Sequence, residues 1–353
     1  MAQQPSPSRR KRSARFVEIA EEAGVCTATV DRVLNERGSV SATTRAKVVD
    51  AARRLGVPRL LPEVRHGLVH LDIVLPRNST PFHRRLALAL QRSVQMLDRR
   101  VIVHRSAVPE DDETLILDAI LHPPYRRHGL IITAHDTPPV RAALASIIAA
   151  GEPVVTLATD IGGIERVHYA GIDNYRAGRS AGHFIGRMAH GPGRVIVICN
   201  ALQYRSHVDR TRGCRDAIAE RFPALHCNPV SVETHDDPDQ CYLAVARALQ
   251  EHGDVVGLYN SGAGSIGIDA ALRKFGAAGN IVWVGHEMSD EHRRYLEEGT
   301  MDVAIDQDPD GQAISALQHL LRACGVVDEA PPGEANEFRL YMSENLRRSP
   351  YLP

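Results

Sequence analysis

Hydrophobic and polar positions change their period along this chain. Between residues 15 and 55 the apolar positions recur every three or four residues. Phe16, Ile19, Ala20 and Ala23 share one face over 15–23, and Val30, Val33 and Leu34 share another over 27–35. A third stretch opens at Ser41, carries Ala42, Val48, Val49, Ala52 and Leu55, and stops before Gly56. This spacing predicts three short amphipathic helices, with Gly24 ending the first and Ser41 capping the third. From residue 71 the pattern becomes continuous apolar runs of strand length at 71–75, 101–103, 130–134, 154–158, 194–199, 255–259 and 281–285. Helical segments such as 84–98, 175–188, 211–220 and 241–250 lie between them. Apolar strands alternating with helices predict parallel sheets covered on both faces. The stretch is too long for one compact sheet and predicts two lobes.

The fold class expected is therefore an all-α helix-turn-helix head joined to an α/β body. Its segments are a polar basic tail (1–13), a head (14–57), a linker (58–70) marked by Pro58, Pro62 and Gly67, a two-lobed body (71–345) and a C-terminal tail (346–353). The formal net charge of −1 conceals an asymmetry. Residues 1–60 hold 12 Lys and Arg against 6 Asp and Glu, and the remainder holds 30 against 37. A basic head on a mildly acidic body points to a polyanion as partner of the head alone, although Arg9-Arg10-Lys11-Arg12 reads equally well as a solvated tail. Six cysteines without CxxC spacing predict reduced thiols, and from the polar start no secretory signal is expected. No apolar run exceeds strand length, so no membrane span is expected and the location expected is cytoplasmic. His286 and His292 are too far apart for a metalloprotease helix and no GxSxG occurs, so neither a metal nor catalysis is expected.

The turn Ala23-Gly24-Val25-Cys26-Thr27-Ala28-Thr29-Val30 has the parts of a helix-turn-helix: a small residue, a turning glycine, and an apolar residue pinning the second helix. That second helix offers Thr27, Ala28, Asp31 and Arg32 to base edges, Arg32 suiting a bidentate bond to guanine. Ser39, Ser41, Thr44 and Arg45 suit phosphate oxygens. The run VEIAEEAGVCTATVDRVLNERGSVSATTRAKVVDAARRLGV (17–57) resembles the head of the lactose-repressor (LacI) family nearly position for position. Cys26 and Asp31 stand where that family usually has Ser. The resemblance implies a double-stranded DNA operator, probed by a homodimer with two heads. It also implies a hinge helix wedging leucines into the minor groove. Leu60 or Leu61 would be the wedge, but Pro62 stops a helix from running through it unbroken.

The body resembles the type I periplasmic-binding-protein fold of the same family, two Rossmann-like lobes with a ligand in the cleft at the strand ends. The resemblance implies a sugar, polyol, or sugar acid or phosphate as effector. It places Asn78, Phe82 and His83 in the loop after the first strand, Asp136 after the third, and Asp160 after the fourth. In the second lobe it places Arg210 (with Arg212 as alternative) before a helix, Asn260 and Glu287 at strand ends, and Gln307 at a lobe crossing. Phe82 reads also as a core anchor of the following helix. Gly262-Ala-Gly264-Ser-Ile-Gly267 is formally a GxGxxG that follows a strand and opens a helix, with Glu287 about 20 residues on, the local parts of a dinucleotide fingerprint. It lies deep in the second lobe rather than in a first βα unit, so the glycines are read as letting backbone approach an effector, and no cofactor is expected. The alternatives are a plain periplasmic-type sugar-binding protein and an NAD-dependent enzyme. No leucine heptads follow Asn345, which argues against a coiled-coil tetramer.

Overall fold

A computed structural model describes residues 16–34, 40–55 and 68–351. The chain divides into two compact units, head and body, at the Leu68–Val69 boundary. In the head, helices α1 (Phe16–Ala23), α2 (Thr27–Leu34) and α3 (Ala42–Arg54) surround a core of Ile19, Ala20, Ala23, Val30, Val33, Leu34, Val48, Val49, Ala51 and Ala52. Phe16 and Leu55, on the apolar faces of the predicted helices, sit at helix ends and are 37% and 38% exposed. Gly24 takes φ +67° at the turn, a conformation that side chains resist.

In the body, β1 (Val69–Pro76), α4 (Pro81–Gln95), β2 (Val101–Val108), α5 (Glu113–Leu121), β3 (Gly129–Ile132), α6 (Pro138–Ala149), β4 (Val154–Leu157) and β5 (His168–Ala170) build the first lobe. Its sheet is parallel throughout in the order β2-β1-β3-β4-β5. The chain then crosses to the second lobe, built from α7 (Asn174–Met188), β6 (Gly193–Cys199), α8 (Arg205–Arg221), β7 (Leu225–Cys227), β8 (Val232–Glu233), α9 (Pro238–Glu251), β9 (Val255–Asn260), α10 (Ser265–Lys274), β10 (Val282–His286), α11 (Asp290–Glu297) and β11 (Val303–Asp306). It returns so that α12 (Pro309–Ala323) packs on the first-lobe core through Ala313, Ala316, Leu317 and Leu320. A last crossing brings β12 (Arg339–Tyr341) antiparallel onto β11, the departure from an otherwise parallel sheet ordered β12-β11-β10-β9-β6-β7, with β8 on β6. Ile172 and Asn336, on the first and last crossings, form an isolated bridge.

β5, β7, β8 and β12 went unpredicted because they run only two or three residues, too short for periodicity to register, and β11 was missed although it is as long as the predicted β3 and β4. Three helices begin earlier than their apolar pattern suggested. α8 starts six residues before the expected 211, so Arg210 lies within that helix rather than ahead of it. α4 and α9 each begin with proline, whose fixed φ suits the first turn. In each sheet the strand order reverses direction once, between β1 and β3 and between β6 and β9. Loops diverge at such points and leave a crevice at the strands' C-terminal ends.

Candidate functional site

The crevices of the two lobes face each other and enclose a cavity of about 300 Å³. The first lobe contributes Phe82 and His83, in the first turn of α4, and Thr133 and Thr159 from strand ends. The rings of Phe82 and His83 meet edge to face at 5.3 Å, and His83 Nδ1 lies 2.8 Å from Thr80 Oγ1. Burial lowers the His83 pKa to about 4, so its imidazole is neutral.

The second lobe places Arg210 at the base of the cavity, 4% exposed. Its Nε donates to Asn174 Oδ1 at 2.7 Å, its Nη1 to the Ser261 carbonyl at 2.9 Å, and its Nη2 to Gln307 Oε1. This clamp depends on a seam without side chains between α7 and α8. A Cβ at Gly178 would lie 1.9 Å from the Arg210 carbonyl oxygen, and one at Gly213 would lie 2.2 Å from that of Tyr175. Around Arg210 stand His207, His286 and His292, all buried. Burial first, then the Arg210 charge, holds His207 and His286 well below the ordinary imidazole pKa. Burial lowers His292 to about 4 against the pull of the Glu287 carbonyl. His292 Nδ1–H donates to that carbonyl at 2.5 Å, so its Nε2 must accept from the Ser265 hydroxyl at 2.6 Å.

Of the residues singled out from sequence, Phe82, His83, Arg210, Glu287 and Gln307 line the cavity, as do Gly262 and Gly264 of the glycine motif. Asn78, Asp136, Asp160 and Asn260 do not, and their polar atoms are engaged elsewhere. Asn78 donates to Glu110 Oε1 at 2.6 Å and accepts from the Thr80 N–H at 2.8 Å, closing the loop ahead of α4. Asp136 pairs with Arg141 at 2.5 Å and accepts from the Gly162 N–H. Asp160 pairs with Arg166 at 2.5 Å and faces a separate depression. Asn260, fully buried, accepts from the Gly262 N–H at 3.1 Å and donates to the Ala263 carbonyl at 2.7 Å. Arg212 points away, over the Tyr175 ring at 4.9 Å.

Sequence reasoning passed over Asp236, His207, His286, His292 and Tyr204, all of which line the cavity. Asp236 accepts from the Ala263 N–H and from Asn200 Nδ2, each at 2.7 Å. Its signal was its position beyond β8 in His235-Asp236-Asp237, where the first two residues take positive φ and Asp237 caps α9. The glycine motif has a packing explanation at each position. A Cβ at Gly262 would lie 2.4 Å from Asp236 Oδ1, Gly264 takes φ +80° ahead of α10, and a Cβ at Gly267 would lie 1.8 Å from the Pro238 carbonyl oxygen of α9.

On the head, Thr27, Ala28 and Arg32 are exposed on α2 and Asp31 is half-buried. Cys26 Sγ lies 3.1 Å from Thr29 Oγ1, the contact a serine would make at this cap. Ser41 Oγ accepts from the Thr44 N–H at 3.2 Å and so caps α3. Arg45, expected at phosphate, is 8% exposed. Ser39, Leu60 and Leu61 lie outside the described residues.

Two parallel α/β lobes, three chain crossings and a cavity at the strand ends define the type I periplasmic-binding-protein fold, here behind a helix-turn-helix. The chain belongs to the family described as periplasmic binding protein domain, whose model matches residues 73–325, and residues 16–57 match the model for bacterial regulatory proteins of the lacI family. It is 31% identical over 109 residues to catabolite control protein A of Priestia megaterium (30% of this chain, 32% of that protein). It is 26% identical over 212 residues to the HTH-type transcriptional regulator GalR of Salmonella typhimurium (59% of each). The chain thus spans less than two thirds of the length of these relatives. Among solved structures it is similar to GanP, a glucose-galactose binding protein from Geobacillus stearothermophilus, at TM-score 0.71 and 22% identity, covering 80% of this chain and 99% of that one. It is also similar to an Agrobacterium vitis solute binding protein with bound D-fucose, at TM-score 0.73 and 14% identity, covering 79% and 97%.

Proposed function

We propose that this protein is a sequence-specific transcriptional regulator, acting as a repressor, whose affinity for a DNA operator is set by a sugar or polyol bound between its lobes. The observation that carries the reading is the presence, in one chain, of a lacI-type head and a ligand-sized cavity at the strand ends. Neutral imidazoles, hydroxyls and an aromatic face suit vicinal hydroxyls, each of which donates and accepts at once. A sugar acid or phosphate suits the cavity less well. The three bonds of Arg210 are made to protein groups, and the exposed Arg84 is outnumbered on the wall by Asp236, Glu287 and Glu291. Phe82, His83, Arg210, Glu287 and Gln307 are proposed to contact the effector, with Asn78, Asp136, Asp160 and Asn260 shaping the loops around it. Thr27, Ala28, Asp31 and Arg32 are proposed to read bases, and Ser41 and Thr44 to meet phosphates. A homodimer would present two heads to a pseudo-palindromic site, and the effector would act by favouring one relative pose of the lobes. No helix among the described residues is long and apolar enough to cross a membrane, in keeping with a cytoplasmic regulator.

The test is fluorescence anisotropy with the protein's own upstream DNA at two salt concentrations, with a panel that includes D-fucose, D-galactose, myo-inositol and their acid or phosphate derivatives. Salt-sensitive, sequence-dependent binding altered by a neutral compound is expected. Weak binding to every fragment under every condition would overturn the regulator reading.

A further inference from the structure

Arg85 lies in the second turn of α4, on the first lobe, yet all its hydrogen-bond acceptors belong to the second. Its Nη1 donates to Glu287 Oε1, to Asp306 Oδ2 at 2.5 Å and to the Met288 carbonyl at 3.2 Å. The three side chains are 11%, 7% and 2% exposed, so the ion pairs are shielded from solvent. The other arginines of α4 differ: Arg84 is exposed, and Arg92 reaches Asp310 at 3.8 Å on the surface. Asp306 is itself fixed, its Oδ2 accepting from the Met288 N–H at 3.2 Å and its Oδ1 from the Asp308 N–H at 2.9 Å. Glu287 takes φ +71°, and its Oε2 is buried without a hydrogen-bond partner. Uncharged bonds also join the lobes: the Ser206 N–H to Thr159 Oγ1 at 3.1 Å, and the Asp136 N–H to the Gln203 carbonyl at 2.8 Å.

We propose that Arg85 is a positioning residue that holds the two lobes shut without an effector and fixes the Glu287 carboxylate at the cavity wall. A guanidinium buried between two carboxyl groups of the opposite lobe has in its own lobe only the exposed Asp310 within electrostatic reach, so opening the cleft parts it from both buried partners at once. The uncharged lobe-to-lobe bonds exchange for water at little cost. The cavity then widens only as this ion cluster parts, and Arg85 sets how readily it does so. The use of that motion rests on the cleft being the effector site. The closure itself does not, and it is measured with no ligand present.

The experiment is single-molecule energy transfer on the full chain. Dyes are carried by keto amino acids at the exposed Met96 of the first lobe and Leu243 of the second, and labelled chains are diluted into excess unlabelled protein. Without any added compound, the wild type is expected to show one closed distance. Arg85→Gln is expected to shift the main population to a different, open distance, and Arg85→Lys to give a mixture. Thr159→Val, which removes an uncharged bond, is expected to stay closed. The proposal is overturned if the ligand-free wild type is already open. It is also overturned if Arg85→Gln and Arg85→Lys keep the wild-type distance while circular dichroism shows them folded. If Arg85→Gln fails to fold, Arg85→Lys decides: a second population upholds the proposal and its absence overturns it. A wild type that is closed, opens in Arg85→Gln, and responds to no sugar or polyol would sink the effector reading and leave the latch standing.

Discussion

Replacing Arg210 by methionine tests whether the clamp at the base of the cavity is structural. Methionine keeps much of the stem volume and removes every guanidinium donor. Three acceptors are then orphaned: Asn174 Oδ1, the Ser261 carbonyl and Gln307 Oε1, in residues 7%, 0% and 4% exposed. A hydrogen bond to a charged group contributes about 1.5–3 kcal/mol, so three amount to roughly 5–9 kcal/mol. Against that loss, the folded state no longer has to bury a charge whose hydrogen-bond partners are all neutral, a penalty of several kcal/mol. Burial indeed lowers the Arg210 pKa from its ordinary value. The difference is a net destabilisation of roughly 2–4 kcal/mol. At about 2–4 °C per kcal/mol for a domain of this size, the melting temperature should fall by roughly 5–15 °C. Urea and thermal unfolding followed by Trp283, the single tryptophan and fully buried in the second lobe, read this out directly. A midpoint that is unchanged or raised would refute the reasoning and show that Arg210 is kept for the ligand alone.

Other perturbations separate the remaining claims. Gly267→Ala should cost at least about 1–3 kcal/mol in the same unfolding assay, because its Cβ would meet the Pro238 carbonyl oxygen and push α10 off α9; fluorescence titration of the wild type with reduced nicotinamide dinucleotide should show no binding. Stability should fall in acid. An unfolded histidine takes its proton near pH 6.5, whereas His292 resists to about 4, so its contribution is full above about pH 6.5, shrinks as pH falls, and is lower by roughly 2 kcal/mol at about pH 5. His292→Asn should flatten that slope in urea titrations at the two pH values. On the head, Arg32→Ala should weaken binding to the operator by about 1–3 kcal/mol and relax preference at one base pair, measured by anisotropy against single-base variants; uniform weakening across all sequences would instead make Arg32 a phosphate contact.

The head was largely legible because its signals are local. Helical spacing of Val30, Val33, Val48 and Val49 produced buried positions, and Gly24 adopts the turn conformation expected of it. The parallel lobes were legible because strands buried on both faces are continuously apolar. The cavity was legible where chemistry follows a long strand or heads a helix, as for Phe82, His83 and Glu287, and where the family resemblance marked a residue, as for Arg210 and Gln307. Asp236 was hidden beyond a two-residue strand. Asp136 and Asp160 sit near strand ends, yet strand ends supply ion pairs as well as ligand contacts, and both carboxylates were taken up by arginines five and six residues downstream. Arg85 was the least legible of all. Its sequence neighbours are those of an ordinary amphipathic helix, and its partners lie 202 and 221 residues away.

The glycines between α7 and α8 show most directly how sequence reaches the site without touching it. Gly178 and Gly213 line no cavity, but they let α7 and α8 meet at backbone contact. That approach brings Asn174, at the start of α7, within 2.7 Å of Arg210 on α8. Any side chain on the seam would part the two helices, and Arg210 would lose the acceptor that orients its Nε. A GxGxxG at the same depth of the fold looks like a cofactor signature and serves a comparable end, holding α10 against α9 so that Ser265 can meet His292. In both places the glycine positions record how closely two helices must approach to hold neutral donors and acceptors around the cavity. The ligand is chosen by the side chains those helices carry.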